Sequence, residues 1–121
     1  MEVKLTNGKI IRLRLSGKRI DYEPSKSEFQ TKIKHKLITQ YPNDLIFEEV
    51  YIPGENLILD FFIPSLKLVI ECQGKQHYEY ISFFHKTKRD FYRHQDRDLK
   101  KRAWCQLNNF KLIEILYEST E

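Results

Sequence analysis

Two acids interrupt the most apolar part of the chain. In LILDFFIPSLKLVIECQG, residues 57–74, Asp60 and Glu71 each sit inside an otherwise apolar, β-branched and aromatic run. Such runs read as central strands covered on both faces, and the joint at Pro64-Ser65 makes them a hairpin. Two registers are open. With Pro64-Ser65-Leu66-Lys67 as the turn, Asp60 stands directly opposite Glu71; with the turn at Ile63 to Leu66, the two are diagonal neighbours. Both registers put them on one side of the sheet, with Cβ atoms roughly 4.5–5.5 Å apart if opposite and roughly 7–8 Å if diagonal. Like charges this close destabilise a hairpin, and burial adds to the cost. A shared proton, a basic partner or a divalent cation relieves it. Carboxylate oxygens favour Mg²⁺ or Mn²⁺, usually held by one or two carboxylates plus water and substrate phosphate. The bland counterpart is a surface pair on an edge hairpin, balanced by Lys67 and Lys75. Apolar residues on both faces argue against that.

The neighbours extend the chemistry. Gln73 follows Glu71 by two residues, so it shares that face and is placed to hold or orient a water. Cys72 alternates to the other side and is expected to pack, although its backbone carbonyl remains a candidate ligand. Glu28 has two roles open to it: the Glu of a capping box, Ser25-Lys26-Ser27-Glu28, or a third carboxylate reaching over the sheet from a helix start. His77, just past the strand in Gly74-Lys75-Gln76-His77, is a general base, a phosphate contact or a plain loop histidine. His85 and His94 show no zinc spacing with Cys105.

The surrounding elements must hold these residues. Val3 and Leu5, then Ile11, Leu13 and Leu15, alternate about Asn7-Gly8, a pattern that predicts a hairpin with a type I′ turn. Phe29, Ile33, Leu37 and Tyr41 predict an amphipathic helix ending before Pro42. A strand is expected over 45–52, a turn at 53–56, strands at 57–63 and 66–72, and a loop at 74–90. A second helix follows at about 91–108, with Tyr92, Leu99, Ala103 and Leu107 towards the core, then a strand over 111–117. The order ββ-α-βββ-α-β gives an α/β (α+β) mixed sheet flanked by helices.

Length and charge bound the possibilities. The chain has 121 residues, 40% apolar and 31% charged, with a net charge of +4. Roughly two-thirds of its unfolded surface can be buried, which suits one domain with one core. No stretch approaches the roughly 20 apolar residues of a membrane span, and MEVKLTNGK shows no secretory signal. The two cysteines match neither a disulfide scaffold nor paired zinc sites, and so point to a cytoplasmic, reducing setting. Between Lys75 and Arg102, nine bases face four acids, and six aromatics are interleaved with them. That composition suits a polyanion with stackable bases.

The strings LDFFIPSLKLVIECQGKQHYEY and RHQDRDLKKRAWCQLNNFKLIEI resemble the PD-(D/E)XK nuclease superfamily, closest to its small very-short-patch-repair-like and phage-type endonuclease branches. The resemblance covers residues 25–117 and leaves the N-terminal hairpin, within 1–20, outside it. It implies a restriction-endonuclease-like fold and Mg²⁺-dependent DNA cleavage. Asp60 matches the motif Asp, Glu71 the motif acid, and Glu28 the helical Glu of many members. Asp98 and Lys101 match an R-D-x-x-K signature. Gln73 departs from the pattern, because that position usually carries Lys. The positive group beside the attacking water is then Lys75, His77 or Lys101, or is absent.

The expected function is therefore a metal-dependent DNA endonuclease of phage, homing or junction-directed type, acting on duplex or branched DNA. Asp60, Glu71, the Cys72 carbonyl and Glu28 are the expected ligands. Gln73 positions water, and His77 or Lys101 assists proton transfer or charge stabilisation. Lys75, Arg89, Arg93, Arg97 and Lys100 contact phosphates. One site cuts one strand, so double-strand cleavage needs a homodimer or sequential nicking. The rivals are a nuclease-fold binding module that has lost cleavage and a basic protein-interaction domain. The enzymatic expectation fails if the two carboxylates face opposite ways or are held permanently by lysine or arginine.

Overall fold

Alternation in the chain's most apolar stretch is what builds the sheet. In the computed structural model, which describes residues 1–15, 19–73 and 88–116 (88–92 and 94 by backbone alone), β4 (Leu57–Ile63) and β5 (Leu68–Gln73) occupy its two central positions. β3 (Phe47–Ile52) pairs antiparallel with β4, and β6 (Lys111–Leu116) runs parallel to β5. A parallel neighbour needs a crossover, which here contains α2 (Lys88–Leu107). β1 (Glu2–Lys4) and β2 (Ile10–Arg12) form a separate two-stranded ribbon, and α1 (Glu28–Gln40) lies between that ribbon and β3 in sequence. The fold is mixed α/β, with a four-stranded sheet, an N-terminal hairpin and two helices. Among the described residues no helix is long and apolar enough to cross a membrane.

The two faces of the sheet bury different elements. On one face Val50, Leu59, Phe62 and Val69 pack with Trp104 and Cys105 of α2 and with Val3, Leu5 and Leu13 of the hairpin. On the other, Phe61, Ile63, Leu68 and Ile70 pack with Ile33 and Leu37 of α1. The hairpin is thus part of the core. It does not extend the sheet.

Local details differ from expectation in three places. The hairpin turn is not type I′, which needs two positive φ values. Only Gly8 has one (φ 91°), and the Gly8 N–H bonds the Leu5 carbonyl while the Leu5 N–H bonds the Lys9 carbonyl, a three-residue loop closed by a left-handed glycine. The N-cap of α1 is Ser27, whose hydroxyl accepts from the Gln30 N–H at 3.1 Å, so the cap lies two residues beyond the expected Ser25. Glu28 is then the first helical residue and cannot close a capping box. Finally, α2 is rotated: Leu99 and Leu107 are exposed, as is Ala103, and among the described side chains of the helix the buried ones are Trp104 and Cys105. Burying the large indole outweighs a weak apolar stripe. The side chain of Tyr92 lies outside the described residues.

Candidate active site

Asp60 and Glu71 meet as a turn over residues 64–67 requires. Residues 64–66 form a 3₁₀ turn closed by left-handed Lys67, and Phe61 pairs with Ile70, Phe62 with Val69 and Ile63 with Leu68. The next pair in that register is Asp60 and Glu71. Both are buried, at 8% and 6% exposure, on the two central strands. The strands part at this pair, and the carboxylates take over the ladder. The Asp60 N–H donates to Glu71 Oε2 at 2.8 Å, and the Cys72 N–H donates to Asp60 Oδ2 at 2.8 Å.

The same row continues across the whole sheet. Glu48 pairs with Phe61 and Val50 with Leu59, so Glu49 stands across from Asp60; on the other side Glu71 pairs with Glu114. Four acids from four strands therefore occupy one line, Glu49, Asp60, Glu71 and Glu114. Glu49 adopts a left-handed backbone (φ 54°) inside its strand. Alternation also breaks here: Leu57, Leu59 and Phe62 face one core, whereas Phe61 and Ile63 face the other.

Bases reach this row from both layers. Lys26, just before α1, lies 3.6 Å from Asp60 Oδ1 and 3.5 Å from Glu49 Oε1. Lys101 of α2 donates to Glu71 Oε1 and, at 2.8 Å, to the Ile58 carbonyl. Arg102 grips Glu114 through two bonds of 2.8 and 2.9 Å. Because alternation breaks at Asp60, the two central carboxylates draw their lysines from opposite faces of the sheet. Among the described residues the balancing bases are Lys26 and Lys101, and not Lys67. Lys67 is exposed beyond the 3₁₀ turn, and Lys75 lies outside the described residues.

The electrostatics follow from burial. Glu71 is pushed up to about 7, first by loss of solvent and then by the adjacent Asp60 charge, with Lys101 pulling the other way. Burial, then Asp60 and Glu71, push the Cys72 thiol far above its usual range. Burial also works against the charged form of Lys26, yet Asp60 and Glu49 outweigh it and hold its ammonium above the ordinary lysine value.

The other expected site residues separate clearly. Gln73 is buried and donates to Glu114 Oε2 at 2.6 Å, tying it to the Arg102 pair. Glu28 is exposed and is not gathered with Asp60 and Glu71; among the described residues no three His, Cys, Asp or Glu side chains converge as a metal cluster. The Cys72 side chain packs against the α1-side core. Arg93 and Arg97 are exposed on α2, while Lys100 donates to the Glu55 carbonyl at 2.6 Å. His77 and the Arg89 side chain lie outside the described residues.

Periodicity alone does not single out Glu49, Lys26 or Glu114. Glu49 is nevertheless within reach of a sequence argument: a turn at 53–56 sets Ile52 against Leu57, and counting back sets Glu49 against Asp60. Lys26 is not, because its role depends on where the segment before α1 lands. A second buried group supports that segment. Lys34, 2% exposed at its side chain, pairs with Glu48 at 2.9 Å, and the Gln30 amide bridges Glu48 and Glu49 at 3.0 and 2.9 Å.

No family model matches the chain, and no solved structure matches it. Three viral proteins resemble it in sequence. Uncharacterized protein 094L of Frog virus 3 (isolate Goorha) is 42% identical over 105 residues, covering 86% of this chain and 55% of that protein. Uncharacterized protein 307L of Invertebrate iridescent virus 6 is 48% identical over 62 residues, covering 51% of this chain and 32% of that protein. Uncharacterized protein 033L of Invertebrate iridescent virus 3 is 44% identical over 66 residues, 54% of this chain and 34% of that protein. The chain thus spans about half the length of the first relative and about a third of the other two.

Proposed function

We propose that the chain is a metal-dependent DNA endonuclease of the PD-(D/E)XK kind. One observation carries this reading: two buried carboxylates, Asp60 and Glu71, sit side by side on the central strands, each with a lysine ammonium near it, Lys26 at 3.6 Å from Asp60 and Lys101 against Glu71. The donor set suits a hard divalent cation such as Mg²⁺ or Mn²⁺, being all oxygen and anionic. Each carboxylate commits one oxygen to a backbone N–H and turns the other towards a lysine. Burial first, and then the adjacent Asp60 charge, raises Glu71 against the pull of Lys101, and a doubly charged ion would remove the repulsive part of that rise.

Asp60 and Glu71 would hold the ion, which when bound supplies a polarised phosphate and a water of lowered pKa. The chain's own residues do the rest. Lys101, anchored by the Ile58 carbonyl, keeps a positive charge beside Glu71, where phosphate oxygens gain negative charge during hydrolysis. Gln73 is neutral where related nucleases carry lysine, so Lys101 takes over that electrostatic role. Arg93 and Arg97, exposed on α2, offer phosphate contacts that position the duplex without reading bases.

A second reading, a nuclease-fold nucleic-acid-binding module without cleavage, is favoured by the lysines on both carboxylates and by Gln73. Incubating supercoiled plasmid with Mg²⁺ or Mn²⁺ separates the two. The endonuclease reading expects nicking that EDTA and Asp60→Ala both abolish. Nicking that persists in Asp60→Ala, or duplex binding with no nicking under either metal, removes it.

A further inference from the structure

We infer that the N-terminal hairpin is a second duplex-binding surface, a basic ribbon that takes backbone phosphates outside the carboxylate site. This rests on the DNA-directed reading above and adds a surface that reading does not use. Alternation sends Val3, Leu5 and Leu13 into the core, so the opposite face of the ribbon carries Lys4, Arg12 and Arg14, with Ile10 across from Lys4, Glu2 across from Arg12, and Lys9 at the turn. All four bases are exposed, and Glu2 is the only acid in residues 1–15.

Several bases outside this face are already engaged, although Lys32 and Lys36 on α1 are exposed and equally unpaired among the described residues. Lys26, Lys34, Lys100, Lys101 and Arg102 all lie against carboxylates of their own chain. Among the described residues, the side chains of Lys4, Lys9, Arg12 and Arg14 make no ion pair or hydrogen bond. Among the described residues their charge is not taken up by an ion pair, and a phosphate backbone is a partner of complementary charge. Alternate residues of an extended strand lie roughly 7 Å apart, a spacing that lets Arg12 and Arg14 address successive phosphates of one strand.

The ribbon is also fixed in place. The Glu55 carboxylate, 1% exposed, accepts from the Thr6 N–H and hydroxyl, both at 2.7 Å. Asn108, just past α2, exchanges bonds of 2.7 and 3.0 Å with the Lys4 backbone. Lys100 ties Glu55 to α2. A ribbon already oriented against α2 loses little freedom on binding, so its charges act together with Arg93 and Arg97.

The test measures binding of the full chain to unrelated short duplexes in EDTA across a salt series. Arg12→Gln/Arg14→Gln is compared with Lys32→Gln/Lys36→Gln, which removes equal charge from the exposed surface of α1. The ribbon variant is expected to bind several-fold more weakly on every sequence, with a slope of log affinity on log salt shallower by about 0.9 for each phosphate no longer neutralised. The α1 variant is expected to keep the wild-type slope. Thermal unfolding should be unchanged in both, because the substituted side chains face outward; Lys9→Gln at the turn tip provides an independent variant, expected to make the slope shallower by the share of a single phosphate. An unchanged slope in the ribbon variants, equal weakening in ribbon and α1 variants, or binding to anionic vesicles in place of duplex overturns the inference. Wild-type protein that binds no duplex overturns both this and the nuclease reading. Wild-type protein that binds and nicks while the ribbon variants keep its slope overturns this inference alone.

Discussion

Asp60 and Glu71 complete each other's strands: the Asp60 N–H bonds Glu71 Oε2, and Asp60 Oδ2 accepts from the Cys72 N–H, each at 2.8 Å. Two ladder positions are filled by side chains, so the carboxylates are fixed by the backbone that carries them. A site built this way has little rotamer freedom. Its chemistry is set by what neutralises the remaining oxygens.

The first consequence concerns pH. Glu71 ionises near 7 in the fold against about 4.5 for an ordinary glutamate, so the folded state binds a proton that the unfolded chain has lost in that window. Stability therefore falls as pH rises from about 4.5 to 7 and levels off above, with a slope on the order of 1.4 kcal/mol per unit at most. Glu71→Gln should flatten this slope in urea unfolding at a series of pH values. A variant whose profile parallels the wild type would show that Glu71 titrates normally.

Lys26 competes with any cation for Asp60. Its side chain is well exposed and its contacts with Asp60 and Glu49 are long, 3.6 and 3.5 Å, which makes it the displaceable lysine, whereas the largely buried Lys101 donates directly to Glu71 and to the Ile58 carbonyl. Lys26→Met should tighten Mn²⁺ binding about two- to fivefold by calorimetry, in line with the roughly 0.2–1 kcal/mol of an exposed ion pair. Unchanged or weaker binding would count against Asp60 as a ligand.

Glu55 anchors the ribbon from inside. Glu55→Ala leaves the Thr6 N–H without its acceptor and should cost about 2–3 kcal/mol in chemical unfolding. Glu55→Gln, which keeps one acceptor oxygen, should cost less. Amide exchange over residues 1–15 should accelerate in the same order.

Trp104 is fully buried against Phe110, with ring centroids 5.4 Å apart, and its Nε1 has no hydrogen-bond partner among the described residues. Trp104→Ala should cost about 3–5 kcal/mol by circular dichroism. Trp104→Phe should cost clearly less, since it leaves a smaller void and removes an unpaired donor. Equal losses would mean that the indole nitrogen is satisfied in solution.

Much of this is legible from local pattern. Proline and apolar runs determine the strand pairing and narrow the register of Asp60 and Glu71 to two, between which the 3₁₀ turn decides; i, i+4 spacing determines the buried face of α1. The pattern misleads where two signals compete. Ser25 and Ser27 both offer a cap, and the helix takes the later one, which leaves Glu28 exposed at the first turn. In α2 the apolar spacing of Leu99, Ala103 and Leu107 yields to a single tryptophan. Lys26 and the Arg102–Glu114–Gln73 chain stay hidden because they join elements distant in sequence, which periodicity does not report.

Glu49 remains as a lever on the molecule. A glutamate held at φ 54° within a strand carries backbone strain on the order of 1–3 kcal/mol, which glycine would not. Glycine there would release that strain and at the same time remove the carboxylate that Lys26 and Gln30 hold beside Asp60, so the row of acids is kept together at a local conformational cost.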